Sequence, residues 1–251
     1  KKSKGIVVYY GLMNDGCERI FGRLKNKEFN IPLGTSIAKT NSRETAEIEA
    51  GINDYFKAYK TMSEIGDYAT INISCPNAFG GEPFTDPIKL ESLLKKIFEI
   101  QKKKPVFLKL SPDLNEAETD AILEVCKKYP VDGFICSNST KKRANIIDKD
   151  LPEKGGISGK PMEELSNRQI SYIYRETGRK YVIIGCGGVF SAEDAYKKIK
   201  LGASLVQLIS GMIYEGPQLI GAINKGLKRL LEKDGFDNIS QAIGVDNGGR
   251  N

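Results

Sequence analysis

Six short apolar runs recur along the chain with helix-length amphipathic segments between them: Ile31 to Ile37, Tyr68 to Ser74, Val106 to Leu110, Gly133 to Ser137, Tyr181 to Gly185 and Leu205 to Ile209. Strands alternating with helices in this way predict βαβ units on a parallel sheet. The segments between the runs carry their own start and stop signals. Asn115 with Glu118 resembles a capping box ahead of Ala121, Ile122 and Val125, and Ser191 with Asp194 repeats the pattern ahead of a helix expected to end at Gly202. A last amphipathic helix is expected over about Pro217 to Leu231, closing on basic residues and Gly235 as the helix dipole favours.

Polar residues or glycines gather at the C-terminal end of nearly every predicted strand: Ser36, Asn72 with Cys75, Lys109, Ser137 with Asn138, Gly187 with Gly188, and Ser210. In a parallel barrel that rim carries the active site, with a phosphate site built by the loops after the last two strands. The GlyCysGlyGly turn (Gly185 to Gly188) and the IleSerGly turn (Ile209 to Gly211) occupy those two places. Glycines let backbone N–H groups approach a phosphate, and the N-terminus of the following helix adds favourable dipole charge. Plain tight turns are the competing reading of such glycines.

The run Thr70 to Asn77 ends a β-branched strand in two asparagines that flank a cysteine. Pro76 cannot donate to a sheet ladder, so Cys75 is expected in the first turn beyond the strand. The amides of Asn72 and Asn77 donate and accept, which suits a flat heteroaromatic ligand. A buried structural thiol is the alternative for Cys75. Lys109 follows Phe107 by two and is expected on the same side of its strand, where its ammonium needs an anionic or electron-rich partner unless it snorkels to solvent.

With 251 residues, 40% hydrophobic and 28% charged, the chain suits one soluble globular domain over residues 1–251. It contains no histidine, which excludes a Ser-His-Asp triad, a Cys-His pair and histidine-bearing zinc sites. Its five cysteines lack any CysXaaXaaCys spacing, so neither a disulfide framework nor a thiolate metal cage is expected, and a reducing cytoplasm fits. The net charge of +6 is spread over helix faces such as Lys197, Lys198 and Lys200, which reads as solvated surface rather than a nucleic-acid groove. No apolar run approaches the ~18 residues of a membrane span, and no N-terminal signal sequence is recognisable.

The ordered motifs AsnIleSerCysProAsn, LysLeuSerProAspLeu, AspGlyPheIleCysSerAsnSerThr, GlyGlyIleSerGlyLysPro, IleIleGlyCysGlyGlyVal, SerAlaGluAspAla and GlyAlaSerLeuValGlnLeuIleSerGly resemble the flavin-dependent dihydroorotate dehydrogenases from about Tyr10 to Asp246. The resemblance implies an α/β fold, a TIM-type (β/α)8 barrel holding FMN, and oxidation of dihydroorotate to orotate in pyrimidine biosynthesis. Cys75 falls on the family's catalytic base. Ser36, Asn72, Lys109, Ser137, Gly159, Gly187, Gly188, Ile209 and Ser210 fall at its FMN site, and Asn72, Asn77, Asn138 and Ser139 at its pyrimidine site. No metal is implied. A cysteine base resembles the soluble class that passes electrons to fumarate or a partner subunit, whereas residues 132–246 resemble the quinone-using class. Quinone is the preferred acceptor over fumarate or NAD, with a cytoplasmic location that becomes peripheral to the inner membrane if quinone is used. A homo-oligomer is left open.

Two departures stand out. Val8 occupies a position where the family usually has a substrate-contacting asparagine, and only six of the barrel's eight strands are visible, so the first two are expected to precede Lys1. Val8 supports one alternative, a related flavin barrel acting on another dihydropyrimidine. A non-catalytic flavin- or phosphate-binding barrel is the other, and the thiol at Cys75 argues against it.

Overall fold

A computed structural model describes residues 2–143, 146–148 and 150–247. The fold is α/β. Strands β1 (Gly5–Val8), β2 (Gly34–Ile37), β3 (Tyr68–Asn72), β4 (Val106–Lys109), β5 (Gly133–Cys136), β6 (Gly156–Gly159), β7 (Val182–Cys186) and β8 (Leu205–Gln207) form two sheets. The six predicted strands make one sheet in the order β2-β3-β4-β5-β7-β8, and β1 pairs with β6 apart from it. The helices are α1 (Cys17–Leu24), α2 (Ile48–Met62), α3 (Pro87–Ile97), α4 (Glu116–Cys126), α5 (Glu163–Thr177), α6 (Ala192–Lys200), α7 (Ser210–Glu215), α8 (Leu219–Asp234) and α9 (Ile239–Ala242). The chain forms two compact units, one of residues 10–110 with 114–133, the other built from the N-terminal residues to Tyr9, Ser111–Asp113 and the chain from Phe134 onward.

In the first unit β2, β3 and β4 run parallel, with Ser36 level with Thr70 and Asn72 level with Lys109. Their core is aliphatic: Ile71 and Leu108 from the strands and Leu90, Leu93, Leu94 and Ile97 from α3 are almost wholly buried. Burying each such side chain contributes roughly 1.5–3 kcal/mol. Helix α3 starts sharply because Asp86 accepts from the N–H groups of Ile88 and Lys89 and Pro87 follows it. Helix α4 has the reciprocal capping box expected at Asn115 and Glu118.

In the second unit β7 and β8 are parallel, with Ile184 level with Leu205, and β1 runs antiparallel to β6 with Val8 level with Gly156. Helices α6 and α8 cross closely at Gly226, where a Cβ would meet that of Ala192 at 2.3 Å. Their seam is filled by Ala195, Leu219 and Ile223.

The structure moves several expected boundaries. The first predicted run opens at Gly34 instead of Ile31, since Pro32 lacks an N–H and Ile31 is 73% exposed. The last predicted run ends at Gln207, so Ile209 caps α7 with φ −136° and ψ −54° instead of extending the strand. The pair β1 and β6 is additional; glycine-rich GlyIleSerGly lacks the alternation that marks a strand. Lys198 corrects the expectation of a solvated helix face. It is fully buried, donating to Ser166 Oγ and Asn167 Oδ1 at 2.9 Å each, and burial pushes its pKa down to about 8. Ser191 does cap α6, but the Asp194 carboxylate bonds the N–H of Phe190 rather than completing a reciprocal box.

Removing the Asn115 side chain tests the first-unit capping box. Asn115→Ala should lower unfolding free energy by about 1 kcal/mol, read as a shifted denaturant midpoint at unchanged m-value. An unmoved midpoint would show that the cap contributes nothing to α4.

Candidate active site

Cys75 lies three residues beyond β3 and opens a turn closed by Ala78 N–H on its own carbonyl at 3.3 Å. The strand end beneath it is pinned from below: Tyr55 Oη donates to the Asn72 carbonyl at 2.7 Å, and Tyr55 packs edge-on against Phe84 with ring centroids 5.4 Å apart. Asn72 is buried, and its Oδ1 accepts from the backbone N–H and hydroxyl of Ser74 at 3.3 and 3.2 Å. Asn77 is half-buried in the turn. Cys75, Asn72 and Tyr55 line one cavity together with Lys39, Leu12 and Phe84.

The thiol is half-buried, and burial pushes its pKa above the ordinary value. Glu82 raises it further, while the N–H groups of Asn77 and Ala78 and the ammonium of Lys39 pull it down. A cation that acts on Cys75 is Lys39, which lines the same cavity. Lys39 is a cavity-lining residue that carries no signal in the sequence. A lysine two residues beyond an aliphatic strand end reads as a solvent-seeking side chain, yet it is 4% exposed, with Nζ donating to the Phe79 carbonyl at 2.5 Å.

Lys109, level with Asn72 at the end of β4, is half-buried and makes no hydrogen bond or ion pair among the described residues. An ammonium held so, with its three donors unused, fits an electron-rich or anionic ligand. Ser36 is exposed and, level with Thr70, lies on the same face of the sheet as Asn72 and Lys109.

The remaining expected residues lie in the second unit. Ser137 is buried; its N–H donates to the Cys186 carbonyl at 2.7 Å and its hydroxyl to Gln169 Oε1 at 2.6 Å, with Gln169 Nε2 donating in turn to the Ser111 carbonyl at 2.8 Å. Gln169, on α5, was another residue without a sequence signal. Asn138 Oδ1 accepts from the Ser139 N–H at 2.9 Å, and the loop is anchored where Asp113 accepts from Thr140 Oγ1 and the Lys141 N–H. Ser210 is buried with its hydroxyl 3.0 Å from that of Ser158, next to Gly159, while Ile209 is exposed.

The glycine turn suits an anion: the backbone N–H groups of Gly187, Gly188 and Val189 have no acceptor among the described hydrogen bonds. The turn is held by Asp194, which accepts from the Phe190 N–H at 2.8 Å and from Lys160 Nζ at 2.6 Å. Gly188 answers to a packing demand as well. With φ at +76° and a Cβ that would sit 2.5 Å from that of Glu163, it is glycine because the chain packs on itself there, whatever approaches from outside.

Gly188→Ala should therefore lower the thermal midpoint of the protein freed of all ligand, by an amount corresponding to at least ~1 kcal/mol. An unchanged midpoint would mean that Glu163 yields at no cost and that the glycine serves ligand approach alone.

Residues 1–231 match the family model described as dihydroorotate dehydrogenase. A protein of Haloarcula marismortui named dihydroorotate dehydrogenase (quinone) is 37% identical over 247 residues, which cover 98% of this chain and 69% of the relative. One of the same name from Sulfurimonas denitrificans is 38% identical over 240 residues, covering 94% of this chain and 66% of that one. The crystal structure of the Eimeria tenella enzyme DHODH in complex with ferulenol aligns over 99% of this chain and 73% of its own, with a TM-score of 0.90 at 26% identity. The six parallel strands are accordingly those of a TIM-type barrel fold, and the chain belongs to the dihydroorotate dehydrogenase family, whose members are flavin-dependent.

Proposed function

We propose that this protein oxidises dihydroorotate to orotate in pyrimidine biosynthesis, with FMN as its flavin and a quinone as the final electron acceptor. The carrying observation is the placement of a half-buried thiol, Cys75, beyond the end of β3, beside the level pair Asn72 and Lys109 on β3 and β4. A binding scaffold has no use for that thiol. Family membership supports the substrate, and the names of the Haloarcula and Sulfurimonas relatives support quinone.

When bound, the flavin supplies the hydride-accepting centre and carries electrons onward. In the first unit Asn72 and Lys109 hold it, with Ser36, and Asn72 and Asn77 orient the pyrimidine ring. In the second unit Ser137, Gly159, Gly187, Gly188, Ile209 and Ser210 are its contacts, and Asn138 and Ser139 are those of the pyrimidine. Cys75 Sγ takes the proton from the saturated carbon next to the substrate carbonyl. Because burial raises its pKa, Cys75 rests as the thiol at neutral pH, and the base form grows in only as pH rises. Among the described residues no helix is long and apolar enough to cross a membrane; a peripheral position at the inner membrane, where quinone is met, is supported by the relatives named for quinone.

Bound-flavin absorbance after mixing with dihydroorotate tests this reading. Cys75→Ala should keep its flavin but be reduced at least ~100-fold more slowly, and the parent rate should climb with pH through a midpoint above that of an ordinary thiol. Cys75→Ser should retain some activity displaced to still higher pH. Near-parent reduction of the alanine form would remove Cys75 from the chemistry.

A second reading, another dihydropyrimidine as substrate, rests on Val8, which ends β1 level with Gly156 and is 39% exposed. If dihydroorotate is the substrate, Val8→Asn should lower its KM about tenfold, one recovered hydrogen bond of roughly 1–1.5 kcal/mol. Unchanged KM would show that position 8 does not reach the ligand.

A further inference from the structure

Lys39 is a buried cation with an incomplete set of partners. Of its three N–H donors, one is accounted for by the Phe79 carbonyl, and among the described residues it forms no ion pair. The carboxylate that acts on it, Asp54, forms no ion pair with it and instead accepts from the N–H and hydroxyl of Thr40 at 2.5 and 3.1 Å. A buried ammonium outside any ion pair carries a desolvation cost that negative charge nearby offsets, and for Lys39 Asp54 does so first and Cys75 second. Of the two, Cys75 lines the same cavity as Lys39.

We propose that Lys39 is the counter-cation of the Cys75 thiolate, a positioning residue that holds negative charge on Sγ from the end of β2 without contacting the substrate. The inference rests on Cys75 being the base. In each turnover Sγ takes the substrate proton, the C–H electron pair enters the new carbon–carbon double bond as the neighbouring hydride leaves for the flavin, and the resulting thiol must release its proton to water before the next cycle. Lys39 favours that release. The two groups act on each other reciprocally: the ammonium lowers the thiol's pKa, and the thiolate raises that of Lys39, which burial otherwise depresses. The other charged or titratable groups facing the pair are Glu82, which opposes ionisation of Cys75, together with Asp54 and Tyr55. The anchor on Phe79 also gives Lys39 a fixed place, since the Phe79 N–H is itself held by Asn41 Oδ1 at 2.6 Å.

The test uses the full chain carrying FMN and reads the alkylation of Cys75 by iodoacetamide, resolved by peptide mass spectrometry, from neutral to alkaline pH. Lys39→Gln keeps a donor for the Phe79 carbonyl but removes the charge. It should move the alkylation midpoint to higher pH and slow alkylation at neutral pH roughly tenfold, with the pH profile of flavin reduction moving in parallel. Lys39→Arg, a permanent cation, should leave the midpoint at or below the parent's. A Gln form with the parent midpoint, or an Arg form displaced upward, overturns the proposal; the Arg form alone suffices if the Gln form does not fold. Normal flavin reduction by Cys75→Ala would sink the base assignment instead, while the alkylation midpoints would still judge Lys39.

Discussion

The Asn72 carbonyl, at the last residue of β3, accepts from a tyrosine hydroxyl that is itself buried, and the chemistry of the first unit depends on this dry strand end. Tyr55 reaches it from α2, held edge-on by Phe84. The arrangement removes water from beneath Asn72 and Cys75, and the cost of that desolvation falls on whatever charge the site must carry. It raises the pKa of the thiol, depresses that of Lys39 and pushes the Tyr55 phenol well above its usual range. The Asn72 side-chain oxygen is satisfied by Ser74, and the surplus donors on Lys39 and Lys109 are what a reacting thiolate and a bound ligand would use.

The second unit solves a related problem with lysines that serve structure. Lys160 joins the carboxylates of Asp194 and Glu163 at 2.6 and 2.7 Å, which ties the glycine turn to the start of α5. Lys198, wholly buried, hydrogen-bonds only hydroxyl and amide partners among the described residues, and the thiols of Cys136 and Cys186 and the carboxylates of Glu163 and Asp194 lie near it. Replacing such a buried cation by a neutral side chain of similar shape can be nearly neutral in energy, whereas deleting one of its partners leaves an uncompensated charge.

Periodicity was a sound guide to the α/β class, to all six parallel strands and to the N-cap at Asn115, because those signals act over a few residues and need no partner from elsewhere. Cys75 was legible for the same reason: Pro76 stops the ladder locally, and the asparagines on either side mark a polar strand end. Boundaries slipped where a local signal met a distant one. Ile31 looked like strand until Pro32 and the Tyr68 ring over Gly34 set the start of pairing, and Ile209 looked like strand until α7 claimed it. The pair β1 and β6 had no alternation to find, since its hydrogen bonds join residues some 150 apart in sequence.

Residue types at strand ends, the absence of histidine and the order of the seven motifs were therefore determined by the sequence itself, and they sufficed for fold, family and thiol. Which lysines carry their charge into the interior was decided only by the tertiary structure. Lys39, Lys109 and Lys198 are chemically identical in the sequence, but solvation depends on neighbours brought in from other elements. The Phe79 carbonyl accepts from the first, the second has no acceptor among the described residues, and Ser166 with Asn167 accepts from the third. Burial is a property of the assembled surroundings, so the electrostatics of the site could be read only once the chain had folded around it.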